Sequence, residues 1–473
     1  MSMTPRRRLA IAILPLLLAA CAAPRPPAAT APAVPAQWQA PLPHNGSTAD
    51  LAQWWQAQGD ALLAQLVDAA QAASPTLAAA RSRMEQARAV RVAAGAALAP
   101  ALNAAVSSSR SSAQPPLPLG TTSQAALQAA WEIDVFGGAR ADRDAAQAQL
   151  ESATASWHAA RVSVAAEVAN QYYALRACEQ LLLIAQSDAA SRAETSRLAE
   201  LSANAGFQAP AVAALASASA AEGRARVTQQ RAQCELERKT LVALTALPEE
   251  DLRQKLAAPP QSPGTPQEAQ MNIASLPAQL LAQRPDVYAA ERDLAAASAA
   301  VGGAYADRFP RLTLSGSVGR ANFRAAGAST DLSTWSVGPL AVTVPVFDAG
   351  RISAGIDAAT ARYEEAAALY RARVRQAVRE VEEALVSLQS TATRRDDVRI
   401  AVEGYRASFD ATEARYKGGL ASLVELEEAR RTRLAAENAL VLLERERRAA
   451  WIGLYRAAGG GWRRDAAGGP GGT

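Results

Sequence analysis

Two rhythms of apolar positions alternate along this chain, and each occurs in both halves. Between residues 100 and 136 the period is two. Leu127, Ala129, Trp131, Ile133 and Val135 alternate with Gln128, Ala130, Glu132 and Asp134. Successive side chains of a strand project to opposite faces, so one face is apolar and the other carries carboxylates. The same rhythm returns in Leu312, Leu314, Gly316 and Val318 against Thr313, Ser315 and Ser317. It returns again in Leu340, Val342, Val344 and Val346 against Ala341 and Thr343. Four strands of roughly 10 to 14 residues are expected, a length suited to a tilted bilayer span. Apolar-out, polar-in alternation fits a barrel with a watery lumen. A soluble sheet with one buried face is the alternative. Four strands cannot close a pore alone, so the barrel reading calls for further subunits.

The second rhythm is helical. Residues 140–203 contain neither Pro nor Gly, and residues 352–417 contain only Gly355 and Gly404. A helix of about 65 residues is about 100 Å long at 1.5 Å per residue. Val374, Val378, Val381, Leu385 and Leu388 are spaced 4, 3, 4, 3, the seam for knobs-into-holes packing. Arg375, Arg379, Glu382 and Glu383 fill the other faces. Each long helix runs into glycine, Gly206 in one half and Gly418-Gly419 in the other, before a second helical stretch. These are two αα-hairpins with glycine tips. Cys178 and Cys234 each lie 28 residues from Gly206. Antiparallel arms place them at one height, as a disulfide or as two buried thiols.

The halves share one plan. Pro75 and Pro100 recur 210 residues later as Pro285 and Pro310. The run Val135-Phe136-Gly137-Gly138-Ala139-Arg140 recurs as Val346-Phe347-Asp348-Ala349-Gly350-Arg351, and Gly206-Phe207 as Gly419-Leu420. A period this long is a duplicated half rather than a solenoid unit. The expected organisation is a signal over 1–20, a linker over 21–45 and a first repeat over 46–250. A Pro-rich joint over 251–276, a second repeat over 277–458 and a tail over 459–473 follow.

Composition sharpens this picture. About a quarter of the 473 residues are alanine and only six are Phe, which favours close-packed long helices over an aromatic-rich globular core. Arg6-Arg7-Arg8 precede an apolar run, residues 9–18, too short to span a bilayer. It ends Leu18-Ala19-Ala20-Cys21, similar to a bacterial lipobox. Cleavage before Cys21 and acylation of that residue are expected, so the lipid on Cys21 is the one covalent group and no cofactor is implied. Ala22 in place of Asp points to the outer membrane. Without the three signal arginines, 46 basic residues face 45 acidic ones, which leaves no basic footprint for nucleic acid. Two His and three Cys disfavour a metal cluster. His44 and His158 lack a partnered nucleophile, so no enzyme is expected.

Several stretches together resemble the outer-membrane factors of tripartite efflux pumps, the TolC-like channels, in their OprM/NodT lipoprotein branch. The most specific run from Leu276 through Arg284-Pro285-Asp286-Val287 to Ala289-Ala290-Glu291, and from Phe309-Pro310 to Gly316. Trp131-Glu132-Ile133-Asp134-Val135-Phe136-Gly137, Val344-Pro345-Val346-Phe347-Asp348-Ala349-Gly350-Arg351 and Ala458-Gly459-Gly460-Gly461-Trp462 add to them. The resemblance covers nearly all of residues 45–462. It implies an α+β membrane protein: a homotrimer with a 12-stranded outer-membrane β-barrel, continued by a long periplasmic α-helical barrel. It also implies a passive exit duct for drugs, metals or other small solutes. The partners are a periplasmic membrane-fusion adaptor, docking at the tips Gly206, Gly418 and Gly419, and an inner-membrane RND-type pump.

By the same resemblance the periplasmic gate falls just past the second tip. Val424 matches an apolar constriction, Glu425 and Glu428 match ring carboxylates, and Arg431 matches their basic neighbour. Residues three apart share a helix face, and acidic rings favour cations. Glu427 is expected to face elsewhere. Residues 206–217 hold no acid or base, so the closed state is expected to be held more by packing than by salt bridges. A type I protein-secretion channel and a non-channel coiled-coil lipoprotein stalk are the alternatives.

Overall fold

The computed structural model describes residues 24–30, 34–35, 37–40, 55, 60–112, 119–257, 280–462 and 464. Along the chain run α1 (Ala61–Ala73), α2 (Pro75–Ala96), β1 (Ala101–Ser111), β2 (Gly120–Ile133), α3 (Gly138–Asn204), α4 (Pro210–Thr245) and α5 (Glu249–Ala257). Then follow α6 (Pro285–Ala306), β3 (Arg311–Ala325), β4 (Ala328–Thr343), α7 (Arg351–Lys417) and α8 (Leu423–Ala457). The helices α3 and α7 are 67 residues each. None of the described helices is long and apolar enough to cross a membrane.

The chain forms two compact units. One comprises residues 1–33, 81–156 and 288–373, the other residues 34–80, 157–287 and 374–473. The first holds an antiparallel four-stranded sheet in the order β1-β2-β3-β4. Its register sorts the side chains cleanly. Ala104, Leu127, Val318 and Trp335 lie in one row across all four strands, and Leu102, Ala129, Gly316 and Val337 in a second. On the opposite face Asn103, Gln128, Ser317 and Ser336 form a polar row, with the Ser317 and Ser336 hydroxyls 2.9 Å apart. Leu127, Val318, Trp335 and Val337 are exposed, so none of the other described residues covers this apolar face. Toward the β1–β2 and β3–β4 connections the same face becomes polar, through Ser108, Ser123, Asn322 and Asp331.

The strands end earlier than alternation alone implies. β2 stops at Ile133 and β4 at Thr343, so Asp134, Val135, Val344 and Val346 are not strand positions. Asp134 is not a second face carboxylate. It accepts from the Arg140 backbone N–H at 2.9 Å and from Arg140 Nε at 3.0 Å, at the start of α3. A helix start presents unpaired N–H groups that attract a carboxylate, and that local demand overrides the alternation. Below the strands, Phe136 and Phe309 stack at 4.9 Å between ring centres.

The second unit carries a helical core. Leu63, Leu66, Tyr172, Leu175, Leu241, Leu252 and Leu454 are fully buried in one cluster. The heptad seam points into it: Val381, Leu385 and Leu388 belong to the cluster and Val378 packs against it. Polar groups tie its edges. Asp60 caps α1, accepting from Leu62 and Leu63 N–H, and takes the Tyr172 hydroxyl hydrogen at 2.6 Å. Arg284 of the Arg-Pro-Asp run is buried and meets Asp286, Glu380 at 2.7 Å and the carbonyl of Ala457. One guanidinium thus joins the start of α6, the middle of α7 and the end of α8.

Candidate functional site

The hairpin ends were built by two glycine turns. Gly206 and Gly419 sit at φ of +78° and +74°, a region open to glycine at little steric cost. Both are exposed, and a side chain at either would meet open space. Gly418 precedes the second turn at an ordinary negative φ, and its N–H donates to the Ala414 carbonyl. After the first turn Pro210 opens α4, its fixed φ suiting a first helical turn. After the second, Ser422 caps α8. Its hydroxyl accepts from Glu425 N–H at 3.2 Å, and the Glu425 carboxylate accepts from Ser422 N–H at 2.6 Å, a complete capping box. Those backbone and side-chain bonds to Ser422 hold the Glu425 carboxyl below its ordinary value.

Val424, Glu425, Glu428 and Arg431 are all exposed, on one face of α8. Glu428 binds Arg431 with both oxygens, at 2.8 and 2.6 Å. The four positions named for a gate therefore stand together on one exposed stripe. Two are already paired with each other, and a third holds its own helix end. The opposite stripe, Leu423, Leu426, Arg430 and Leu434, is buried.

An apolar layer joins the two hairpins near the tips. Ala199 of α3, Ala216 of α4, Phe409 of α7, and Leu423 and Leu426 of α8 form it. A buried ionic layer lies beside it. Arg192 of α3 donates from Nε to Asp188 at 2.8 Å, and from Nη1 to Ser219 of α4 at 2.5 Å and Glu427 of α8 at 2.7 Å. Arg430 of α8 pairs with Glu427 and donates from Nη2 to Ser191 at 3.1 Å and Thr195 at 2.9 Å. Asp188, Arg192 and Arg430 are all buried, Arg430 completely. Packing is therefore accompanied by salt bridges within the chain at this end. The charges sit outside residues 206–217, on helix faces turned inward. Glu427 does face away from the exposed stripe, toward Arg192. Sequence reasoning missed this layer because Arg192 and Glu427 are 235 residues apart.

Farther up the first hairpin, Cys178 and Cys234 are joined by a disulfide, with Cα atoms 5.5 Å apart and both residues buried. His158 contacts Trp157 edge-on and faces Trp462. Burial, with Arg161 nearby, lowers its pKa. Among the described residues no group of three or more His, Cys, Asp or Glu could hold a metal ion. Cys21 and His44 lie outside the described residues.

A family profile described as outer membrane efflux protein matches residues 66–247 and 276–460. The chain belongs to this family. The pyoverdine export outer membrane protein OpmQ of Pseudomonas aeruginosa is 32% identical over 461 residues, covering 95% of this chain and 96% of that protein. The outer membrane protein OprJ of the same species is 30% identical, with 95% of each chain covered. Among solved structures, the outer-membrane channel OprN superposes with a TM-score of 0.83 at 29% identity, over 93% of this chain and 99% of that one. As an outer membrane efflux protein the chain is an exit duct in the outer membrane of a Gram-negative cell. An isolated coiled-coil stalk, which needs no amphipathic sheet, is set aside.

Proposed function

We propose that three copies of this efflux protein pool their sheets into one 12-stranded barrel and their hairpins into one periplasmic helical duct. The observation that carries this reading is the sheet. Among the described strands, β1 and β4 each have a partner on one side only, and one face is apolar while the other is polar. Unpaired backbone groups cannot be left in hydrocarbon, so the free edge of β4 meets β1 of another copy, and closure abolishes both edges. Small and polar side chains such as Ser317, Ser336, Asn103 and Gln128 then line the water.

The two chain halves are copies of one unit, which gives three chains six similar hairpins. At the mouth, Glu425 and Glu428 stack as acidic rings just past Val424, drawing cations and repelling anions. Arg431 limits the charge of the Glu428 ring. Gly206, Gly418 and Gly419 are where a periplasmic membrane-fusion adaptor docks, and the energy comes from an inner-membrane RND-type pump. Acyl chains on Cys21 anchor the N-terminus to the outer membrane. Small solutes pass, and the pump selects them.

The test is conductance of the purified acylated protein in planar bilayers. Discrete steps from trimer-sized particles are expected. Glu425→Ala and Glu428→Ala should raise the open fraction and weaken cation preference. Conductance indifferent to both would remove the gate from these residues. No steps from wild type or from either variant would overturn the closed-barrel reading itself.

A further inference from the structure

Within the strand-bearing unit, the short segment after Cys21 is held by three different helices. Arg25 Nη1 lies 3.0 Å from Asp144 Oδ2 of α3. Ser298 of α6, itself 1% exposed, donates its hydroxyl hydrogen to the Pro26 carbonyl at 2.6 Å. Tyr363 of α7 donates to the Pro27 carbonyl at 3.0 Å. Gly302 lies one turn beyond Ser298, on the same face of α6. A Cβ at Gly302 would stand 2.7 Å from both Cγ and Nε of Arg25. The missing side chain is thus the space that the arginine stem occupies.

The ligand suits the groove. Pro24, Pro26 and Pro27 have restricted backbones and no N–H to satisfy, so little order is lost on docking. What they offer is carbonyl oxygens, and the groove answers with two hydroxyl donors. The Arg25–Asp144 pair is about one-third exposed on each side and contributes little energy. It fixes direction, while the buried Ser298 hydroxyl and the Gly302 notch fix position.

The groove also has a definite height. Gly302 is four residues from the end of α6, and Asp144 is six from the start of α3. At 1.5 Å per residue it therefore lies about 6 to 9 Å from the helix ends that lead into β3 and out of β2. Cys21 is four residues from Arg25, so its Cα is confined within about 14 Å of the Arg25 Cα. We propose that Asp144, Ser298, Gly302 and Tyr363 form a built-in dock for this segment. The dock sets where the Cys21 acyl chains enter the membrane, in the leaflet at the foot of the strands. The inference rests on acylation of Cys21, part of the proposal above. It adds a positioning site that guides insertion of the sheet.

The test uses the full-length protein in its own outer membrane. Mass spectrometry reports acylation, and the amount of folded trimer in outer-membrane extracts reports insertion. Gly302→Val fills the notch. Ser298→Ala with Tyr363→Phe removes both donors without adding bulk, which covers the case where valine disturbs the helix. Both variants should stay acylated and lose folded trimer several-fold. In a Cys21→Ala background, exported behind a signal that is cleaved without acylation, neither should cause further loss, because the dock then has no anchor to position. Equal losses in both backgrounds, or acylated variants that insert like wild type, would overturn the dock. An unacylated wild type would overturn the acylation reading instead, and this inference with it.

Discussion

Arg192 on α3 and Glu427 on α8 are bound at 2.7 Å although 235 residues separate them. Arg430 sits against the same carboxylate with no solvent exposure. Two guanidinium groups and the carboxylates of Asp188 and Glu427 therefore share one buried layer. Removing one member of such a set strands a charge, which costs about 3–5 kcal/mol, whereas replacing partners together by apolar groups of similar volume is often close to neutral. Arg430→Ala should accordingly destabilise the helical unit by that order in chemical denaturation. Arg430→Met combined with Glu427→Leu should lose markedly less. Arg430→Lys should not rescue, since one ammonium cannot reach Glu427, Ser191 and Thr195 in the geometry of a planar fork.

Glu425 serves its own helix as well as facing outward, and the two roles separate by substitution. A capping box accepts Glu or Gln at this position. Glu425→Gln should keep α8 stable while removing the charge, so a change in ion preference without a change in melting is expected. Ser422→Ala should do the reverse, costing about 1 kcal/mol with ion preference intact. Paired bilayer recording and thermal melts check both. If the two substitutions behave alike, the face carries no charge role.

The Arg284–Glu380 contact makes a pH-dependent contribution. Burial works to raise the Glu380 pKa, but hydrogen bonds from Arg284 and Gln376 outweigh it and the net shift is downward. A depressed folded-state pKa means stability that is present above the ordinary carboxylate value of about 4.3 and lost as pH falls through the lower folded value. Wild type should therefore outlast Glu380→Gln near neutrality, and the gap should narrow below about pH 4. Melting curves of both proteins across that range report it.

Leu127 and Gln128 are neighbours on β2 that project to opposite faces. If Leu127 meets lipid, Leu127→Arg should cost about 2–4 kcal/mol near mid-bilayer and reduce folded protein in outer membranes. Gln128→Arg, on the wet side, should insert normally and shift conductance instead.

How much of this was legible in the sequence depends on range. The hairpins were legible because runs without Gly or Pro and a heptad seam are local signals. Three of the four strands were legible because alternation is local too, though Asp134 and Val344 keep the alternation after the strands have stopped; β1 was expected only from the plan shared by the two halves. What stayed hidden needed partners. Nothing near Arg192 announces Glu427, and nothing near Gly302 announces Arg25. The bond between Cys178 and Cys234 was framed by symmetry about Gly206 but not decided, because spacing gives height and not helix face. The gate stripe was placed by resemblance. Its capping box shows in the sequence as Ser422 and Glu425 three apart.

The Cys178–Cys234 bond closes a loop of chain whose midpoint is the exposed turn at Gly206. A protease that cuts at Phe207, in the turn, would divide the polypeptide without dividing the molecule. The two arms would remain covalently fastened and held by the helical core on either side. An exposed turn is thus enclosed by a covalent link that would outlast a cut in it.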